Sequence, residues 1–432
     1  MKQSVLILAF TFANFNFSFA NGWQPMGSGT DRAAITIFLD SINGEIYFGG
    51  QFFLTDSLPT RGIAKWNGVV WDSVGSGLKH FQTNRAISKY NNKLYSDGGF
   101  SISNINNILG SFDGFEWDTV KNGLDGSVYQ MKVLNEQLYI SGFFQSADGS
   151  PCNMLVTWND TNFTCLNLPF DGWVGDFINY NNTLVFGGNF FDDSLNIDIA
   201  LMDSTGFQLL GHPIYGGVSV VNSLAIYQGD LYVAGNFSSS AGNEGNNIMR
   251  WDGSQWYDVA GGTDNSIWKI KVFNGELYAC GTFQVAGGIL TGSIAKWNGT
   301  IWSSVTSSII GPGISDFLFF NNDLYICGLF NQIDGVTMNN IAKYVGINQN
   351  ISNNLIGSLI LSPMPSGGLI KIHLQYGNLK EIRLYELTGK QVRSISCNSS
   401  IQELDISTLS PGLYFLDAIS DQRTFRKRFV KN

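Results

Sequence analysis

Seven nine-residue stretches of this chain share one pattern: GEIYFGGQF (44–52), NKLYSDGGF (92–100), EQLYISGFF (136–144), NTLVFGGNF (182–190), GDLYVAGNF (229–237), GELYACGTF (275–283) and NDLYICGLF (322–330). Counted at Tyr47, Tyr95, Tyr139, Val185, Tyr232, Tyr278 and Tyr325, they recur at intervals of 48, 44, 46, 47, 46 and 47 residues. Such a period suits a four-stranded sheet repeated in an array. Helical arrays have comparable periods but carry long stretches of 3.6-residue periodicity. Here the apolar runs are short and alternating, and Gly or Asn-Gly breaks them every 8–12 residues.

Each unit holds four strand-like runs. In the sixth copy they are SIWKIKVF, GELYACGTF, GSIAKWNG and TIWSSV. Asn274-Gly275 and Asn298-Gly299 stand where two-residue hairpin turns require positive φ, and the longer QVAGGILTG joins the two hairpins. Trp66, Trp158, Trp251 and Trp297 recur at one place on the third run, as expected of packing between neighbouring units. Fourth-run aromatics occur at Trp71, Trp117, Phe163, Phe207, Trp256 and Trp302, but the seventh unit ends without one. The absent run stands before the first unit, as GWQPMGSG with Trp23, 48 residues before Trp71. The pattern therefore predicts an all-β fold: a seven-bladed β-propeller of four-stranded blades over residues 21–346. Residues 22–29, the mature N-terminal strand, would close its ring and leave few free sheet edges.

The first 20 residues read as a secretory signal peptide: Lys2, an apolar run from Val5 to Phe12, and Ser18-Phe19-Ala20 at the cleavage site. No stretch reaches the length of a transmembrane helix. Net charge is −9, but the 10 Lys+Arg and 6 Asp+Glu of residues 358–432 give that segment +4 and leave −13 to the rest. An acidic body excludes nucleic acid as a natural partner. Of five cysteines, Cys280 and Cys327 share a repeat position with Gly49, Asp97, Ser141, Gly187 and Ala234, which reads as a tight slot for small residues. Cys152 and Cys165 lie in one unit, where pairing across a hairpin and remaining free are both open.

After a polar, Asn-rich linker (347–357) the repeat stops. Residues 358–432 carry strand-like runs separated by turns at Pro363–Gly368, Thr388-Gly389 and Ser410-Pro411-Gly412, as in a small β-sandwich.

The repeat text, LYVAGNF followed by NNIMRWDGSQWYDVAGG, resembles kelch-like propeller repeats of exported bacterial proteins, over about three quarters of the chain. Residues 358–432 resemble the C-terminal sorting domain (type A) of the type IX secretion system of Bacteroidota. The resemblance rests on Pro363-Met364-Pro365, on Leu384 to Val392 with Gly389 and Lys390, on Leu409 to Tyr414 with Gly412, and on the basic tail from Arg426 to Lys431. Met364 departs from the Asn usual between the two prolines. This resemblance implies export across the outer membrane by the type IX machinery, followed by release or attachment at the cell surface.

Catalytic signatures are scarce. His80, His212 and His373 share no repeat position, and no GxSxG, HExxH or phosphate-binding glycine loop is present. Two weaker patterns fall where one blade's outer strand leads to the next blade's inner strand. Asp31, Asp125, Asp171 and Asp264 suit either turn capping or an acidic ring of oxygen ligands for Ca²⁺. Tyr129, Trp173 and Trp268 start inner strands on the same rim, where they either plug the channel or form a platform for sugar rings. The expected function is a secreted or cell-surface binding and adhesion module for a glycan or surface protein, without catalysis of its own. A polysaccharide-active hydrolase or lyase and a structural adhesin are the alternatives.

Overall fold

The computed structural model describes residues 22–78, 83–98, 108–192, 195–203, 205–215, 220–347, 359–362, 368–374, 378–386, 390–420 and 424–431. Residues 1–20, which the sequence reads as a signal peptide, and most of the linker lie outside them. The chain divides into two units, residues 1–347 and 348–432.

The larger unit is built of seven successive antiparallel sheets, the fourth carrying a short fifth strand. Their first strands are Ala34–Asp40, Ile87–Tyr90, Ser127–Leu134, Asp171–Tyr180, Val220–Tyr227, Ile267–Phe273 and Gly313–Phe320. In six sheets, the strands follow in chain order from first to fourth. The seventh takes its fourth strand from the other end of the chain: Gly22–Pro25 pairs antiparallel with Ile341–Val345, placing Trp23 opposite Tyr344. The hairpin turns are those their residues favour. Both residues of Asn91-Asn92, Asn181-Asn182 and Asn321-Asn322 have φ between 45° and 67°, which Asn tolerates and β-branched residues do not.

No sheet has a core of its own. The apolar side chains gather into clusters between consecutive sheets: sheets one and two, two and three, three and four, four and five, five and six, six and seven. A further cluster joins seven to one, through Leu318, Tyr325, Cys327 and Ile341 against Ile37, Phe48 and Trp66.

Three repeat positions explain why the sheets sit so closely. The slot holding Asp97, Ser141, Ala234, Cys280 and Cys327 is fully buried. Where it holds Gly187, an added Cβ would come within 2.4 Å of Val221 on the next sheet. Burial pushes the Cys280 and Cys327 thiols far up, so both are inert packing groups. The third-strand tryptophans reach the preceding sheet, with Trp158 Nε1 donating to the Tyr95 hydroxyl (3.1 Å) and Trp297 Nε1 to that of Tyr232 (3.4 Å). On fourth strands, Trp117 and Trp302 donate to the carbonyls of Val74 (2.8 Å) and Val259 (3.0 Å), each at the end of the preceding sheet. Trp71 does the same to Met26 (3.0 Å). Met26 thus stands where sheets one, two, five and six have a valine, and three and four a leucine, just past the fourth strand. Cys152 and Cys165 are joined in a disulfide, with Cα atoms 5.5 Å apart.

The smaller unit has two sheets. Leu359–Ser362, Leu369–Leu374 and Ile401–Asp405 form one; Gln391–Ser399, Leu379–Glu386, Gly412–Ser420 and Thr424–Lys431 form the other. Ile370, Ile372 and Leu404 of the first share one core with Ile382, Leu384, Leu416 and Phe429 of the second, so the unit is a sandwich.

If the Gly22–Pro25 strand is an integral part of the fold, Trp23→Ala removes a side chain only 8% exposed and should destabilise the larger unit by about 3–5 kcal/mol. Urea unfolding of Trp23→Ala beside Trp71→Ala checks this: losses of similar size are expected, whereas under ~1 kcal/mol for Trp23 alone would mean a frayed strand.

Candidate functional site

The first strands carry the features of interest. In six of the seven sheets, the pairing of first and second strands shifts register by one residue near the strand start, a β-bulge. The bulged residues are Ile35, Tyr129, Gly175, Asn222, Trp268 and Ser315. In sheet two, Arg85 occupies the same place. Asp97 makes the connection there: its Oδ1 accepts the backbone N–H groups of Arg85 (2.6 Å) and Ala86 (2.9 Å).

This arrangement brings Arg85, Tyr129 and Trp173 together from three consecutive sheets. The Arg85 guanidinium lies 5.8 Å from the Tyr129 ring centre. The Tyr129 ring meets that of Trp173 edge to face at 5.0 Å. Trp173 folds over Gly175, where a Cβ would come within 2.9 Å of the indole, so glycine makes its seat. All three side chains are half-buried. Trp268 holds the corresponding bulge position of sheet six and is also half-buried. Burial pushes the Tyr129 phenol up, against the opposing pull of the Arg85 charge.

Beneath this corner lies a charged belt. Lys132 of sheet three donates to Asp176 Oδ1 (2.5 Å) and to the Phe177 carbonyl (2.8 Å) of sheet four. Lys271 of sheet six repeats the motif on Asp316 Oδ1 (2.6 Å) and the Phe317 carbonyl (2.5 Å) of sheet seven. Lys89 of sheet two pairs with Asp40 of sheet one at 2.5 Å. Desolvation pulls the Lys132 ammonium down, against the attraction of Asp176.

The four aspartates do not converge. Asp31 Oδ1 accepts the backbone N–H of Phe53 and Leu54, Asp125 that of Gln145 and Ser146, and Asp264 that of Gln284 and Val285, all at 2.8–2.9 Å. Each carboxylate is thus a staple for the loop between the second and third strands of its own sheet, the role Asp plays in turns. Asp171 departs from the series: it is an exposed first residue of Asp171–Tyr180, Cα-paired with Phe191 in a ladder longer than those of the other sheets. Among the described residues, no group of three or more His, Cys, Asp or Glu is placed to hold a metal ion. Of the two readings, Asp31, Asp125 and Asp264 thus follow turn capping and not the acidic ring.

Sequence reasoning found Tyr129, Trp173 and Trp268 but missed Arg85, Gly175 and the belt. A signal for the belt was present, since Lys132 and Lys271, and likewise Asp176-Phe177 and Asp316-Phe317, share repeat positions. Arg85 gives none, because its neighbours are recognisable only through the bulge register.

In the smaller unit, Tyr414 is buried, donates its hydroxyl to the Ser410 carbonyl (2.9 Å) and stacks on Phe429 at 5.6 Å. Gly412 pairs with Lys431, which is also buried. The exposed Lys390 accepts the Glu386 N–H at its carbonyl (2.9 Å), closing a hairpin. Pro363, Pro365 and Gly389 lie outside the described residues.

Residues 361–432 match the family described as secretion system C-terminal sorting domain. The chain is thus an all-β protein ending in a type IX sorting domain, which directs it to the cell surface or outer membrane. Among the described residues, no helix is long and apolar enough to cross a membrane. No curated protein matches the chain. Among solved structures it is similar to the extracellular domain of BT4673 from B. thetaiotaomicron (13% identity, TM-score 0.46, 96% of this chain and 58% of that one). It is also similar to PorZ, a surface component of the type IX secretion system of Porphyromonas gingivalis (12%, 0.40, 93% and 66%). A third is the β-propeller domain of the Trilobed protease from Pyrococcus furiosus (9%, 0.43, 73% and 96%). The chain spans less than two thirds of the length of the first two.

Asp97 supplies a test of the geometry behind Arg85. Burial pushes its carboxyl up to about 7, and the two backbone N–H bonds only partly oppose this. The unfolded chain loses this proton near pH 4 and the folded chain only near pH 7, so stability falls as pH rises between those values. Asp97→Asn keeps an acceptor for both N–H groups and removes the titration. Its stability relative to the parent should rise by roughly 1–4 kcal/mol between pH 5 and pH 8, read by urea unfolding at each pH. A constant difference would contradict the buried, protonated acid.

Proposed function

We propose that the protein is an exported seven-bladed β-propeller, its ring closed by the mature N-terminal strand, that binds a glycan at the cell surface. In this reading, the seven sheets are blades of a kelch-like propeller, and the bulged ends of their first strands line the mouth of its central channel. The reading is supported above all by one observation: Arg85, Tyr129 and Trp173, half-buried and drawn from three consecutive sheets, form one corner. Aromatic faces with an adjacent polar group are the usual means of holding a sugar ring. A surface protein is the other partner class that this corner suits. The type IX machinery is its partner in export. Catalysis is not part of the proposal.

The test is a titration of the exported chain, residues 21–432, with a panel of polysaccharides, with and without Ca²⁺, followed by tryptophan fluorescence. A saturable change is expected, weakened about tenfold or more by Trp173→Ala or Tyr129→Ala, since one aromatic contact of this kind contributes ~1–2 kcal/mol. Chain-length analysis of the bound polysaccharide separates binding from cleavage, and shortened products would favour the hydrolase or lyase alternative. A flat response across the panel would overturn the glycan reading and turn attention to surface proteins.

A further inference from the structure

Two half-buried cations of the first strands have no ion pair. Six cations stand on these strands or within two residues of their starts: Lys89, Lys132, Lys269, Lys271, Arg85 and the exposed Arg32, which lies over the Phe53 ring. Three have a carboxylate each: Lys89 with Asp40, Lys132 with Asp176, and Lys271 with Asp316. Among the described residues, Arg85 and Lys269 form no ion pair. Arg85 donates only a long bond to the Thr83 carbonyl (3.4 Å). Its nearest carboxyl in charge terms is Asp97, which burial holds largely protonated up to about pH 7. Of the other carboxylates on these strands or at their starts, Asp31, Asp125 and Asp264 are bonded to their own loops and Asp171 is exposed to solvent, where its field is screened.

Both cations adjoin the aromatic bulge residues. Arg85 faces the Tyr129 ring, and Lys269 directly follows Trp268. The charges of Lys269 and Lys271, on sheet six, act on Lys132 of sheet three, and that of Lys269 on Asp176 of sheet four. Two half-buried cations with no ion-pair partner are placed to meet an anionic group.

We propose that this site takes an anionic saccharide, with a sugar ring against Tyr129 and Trp173 and its carboxylate or sulfate groups on Arg85 and Lys269. The inference rests on the glycan-binding reading and adds the ligand's charge. A guanidinium binds a planar carboxylate or a sulfate through paired N–H donors, and the Lys269 ammonium supplies a second point charge further in.

Isothermal titration of the full exported chain with three oligosaccharide series of matched length tests it: neutral galactose oligomers, galacturonate oligomers and sulfated galactose oligomers. At low salt, one acidic series is expected to bind about tenfold or more tightly than the neutral one, the worth of one charge-assisted hydrogen bond. Which acidic series binds distinguishes carboxylate from sulfate. In Arg85→Gln/Lys269→Gln the preference should fall to within about twofold, and raising the salt should weaken it in the parent. Should the double variant not fold, Lys269→Gln alone and the salt series on the parent decide. Equal binding of neutral and acidic oligomers would overturn this inference and leave the glycan reading standing. Acid preference undiminished in the variants would overturn it by placing the anion elsewhere. No binding of any series would remove the glycan reading and this inference together.

Discussion

Everything in the larger unit depends on apolar contact between sheets. A sheet of four short strands has no interior, so each must cover both faces with its neighbours. In an open row, the first and last sheets would each leave a face to water. Here the cluster of Leu318, Tyr325 and Ile341 against Ile37, Phe48 and Trp66 covers those two faces with each other. That contact joins residues almost 300 positions apart in the chain. The order of strands at the seam follows from this. Pairing Gly22–Pro25 with Ile341–Val345 fastens the two ends of the larger unit's strand series into one sheet. The indole bond from Trp71 to Met26 (3.0 Å) ties the first sheet to the end of the strand that completes the seventh, and that from Asn340 Nδ2 to the Thr30 carbonyl (2.9 Å) ties the seventh sheet to the connection leading into the first.

Close approach of the sheets creates a second demand at their first strands, whose outward edges have no neighbouring strand. Buried backbone N–H groups left without acceptors would be costly. A side chain at one repeat position answers this on successive sheets. Asp176 accepts the Leu224 N–H (2.9 Å) and Ser223 the Ile270 N–H (3.1 Å), while Asp316 accepts that of Ile37 (3.3 Å) across the seam. Each acceptor thus belongs to one sheet and serves the next. The two aspartates hold a lysine of the preceding sheet as well, so that each links three sheets. A buried carboxylate is tolerable here because a cation and a backbone donor both meet it.

Fold was legible in the sequence because packing constraints recur at every unit. The LY pair, the small-residue slot and the strand-four aromatic each answer to contact with a neighbour, so each repeats near every 46 residues. The displaced Trp23 was readable for the same reason. The aspartates were legible as a series but not as a role. Position alone does not tell a carboxylate pointing at a channel from one bonded to its own loop; the N–H groups of Gln284 and Val285 on Asp264 decide it. Arg85 was illegible because sheet two replaces the bulge seen in the other six with the Asp97 side chain. Its register with Tyr129 therefore emerges only from hydrogen bonds.

The departures from the repeat carry the functional argument. Positions that hold sheets together are constrained alike in every unit, and variation there would loosen the array. The bulged residue is freer, because a bulge leaves it outside the ladder and re-aims its side chain. That position reads Ile35, Arg85, Tyr129, Gly175, Asn222, Trp268 and Ser315 in turn, with no shared chemistry. Arg85 needs the Asp97 side chain to hold its backbone, and Trp173 needs Gly175 beneath it to meet the Tyr129 ring edge to face. Neither arrangement is needed to pack one sheet on the next. Sheets two and four, on either side of sheet three, depart from the common pattern in ways that bring Arg85 and Trp173 each to Tyr129, and the proposed site rests on that convergence.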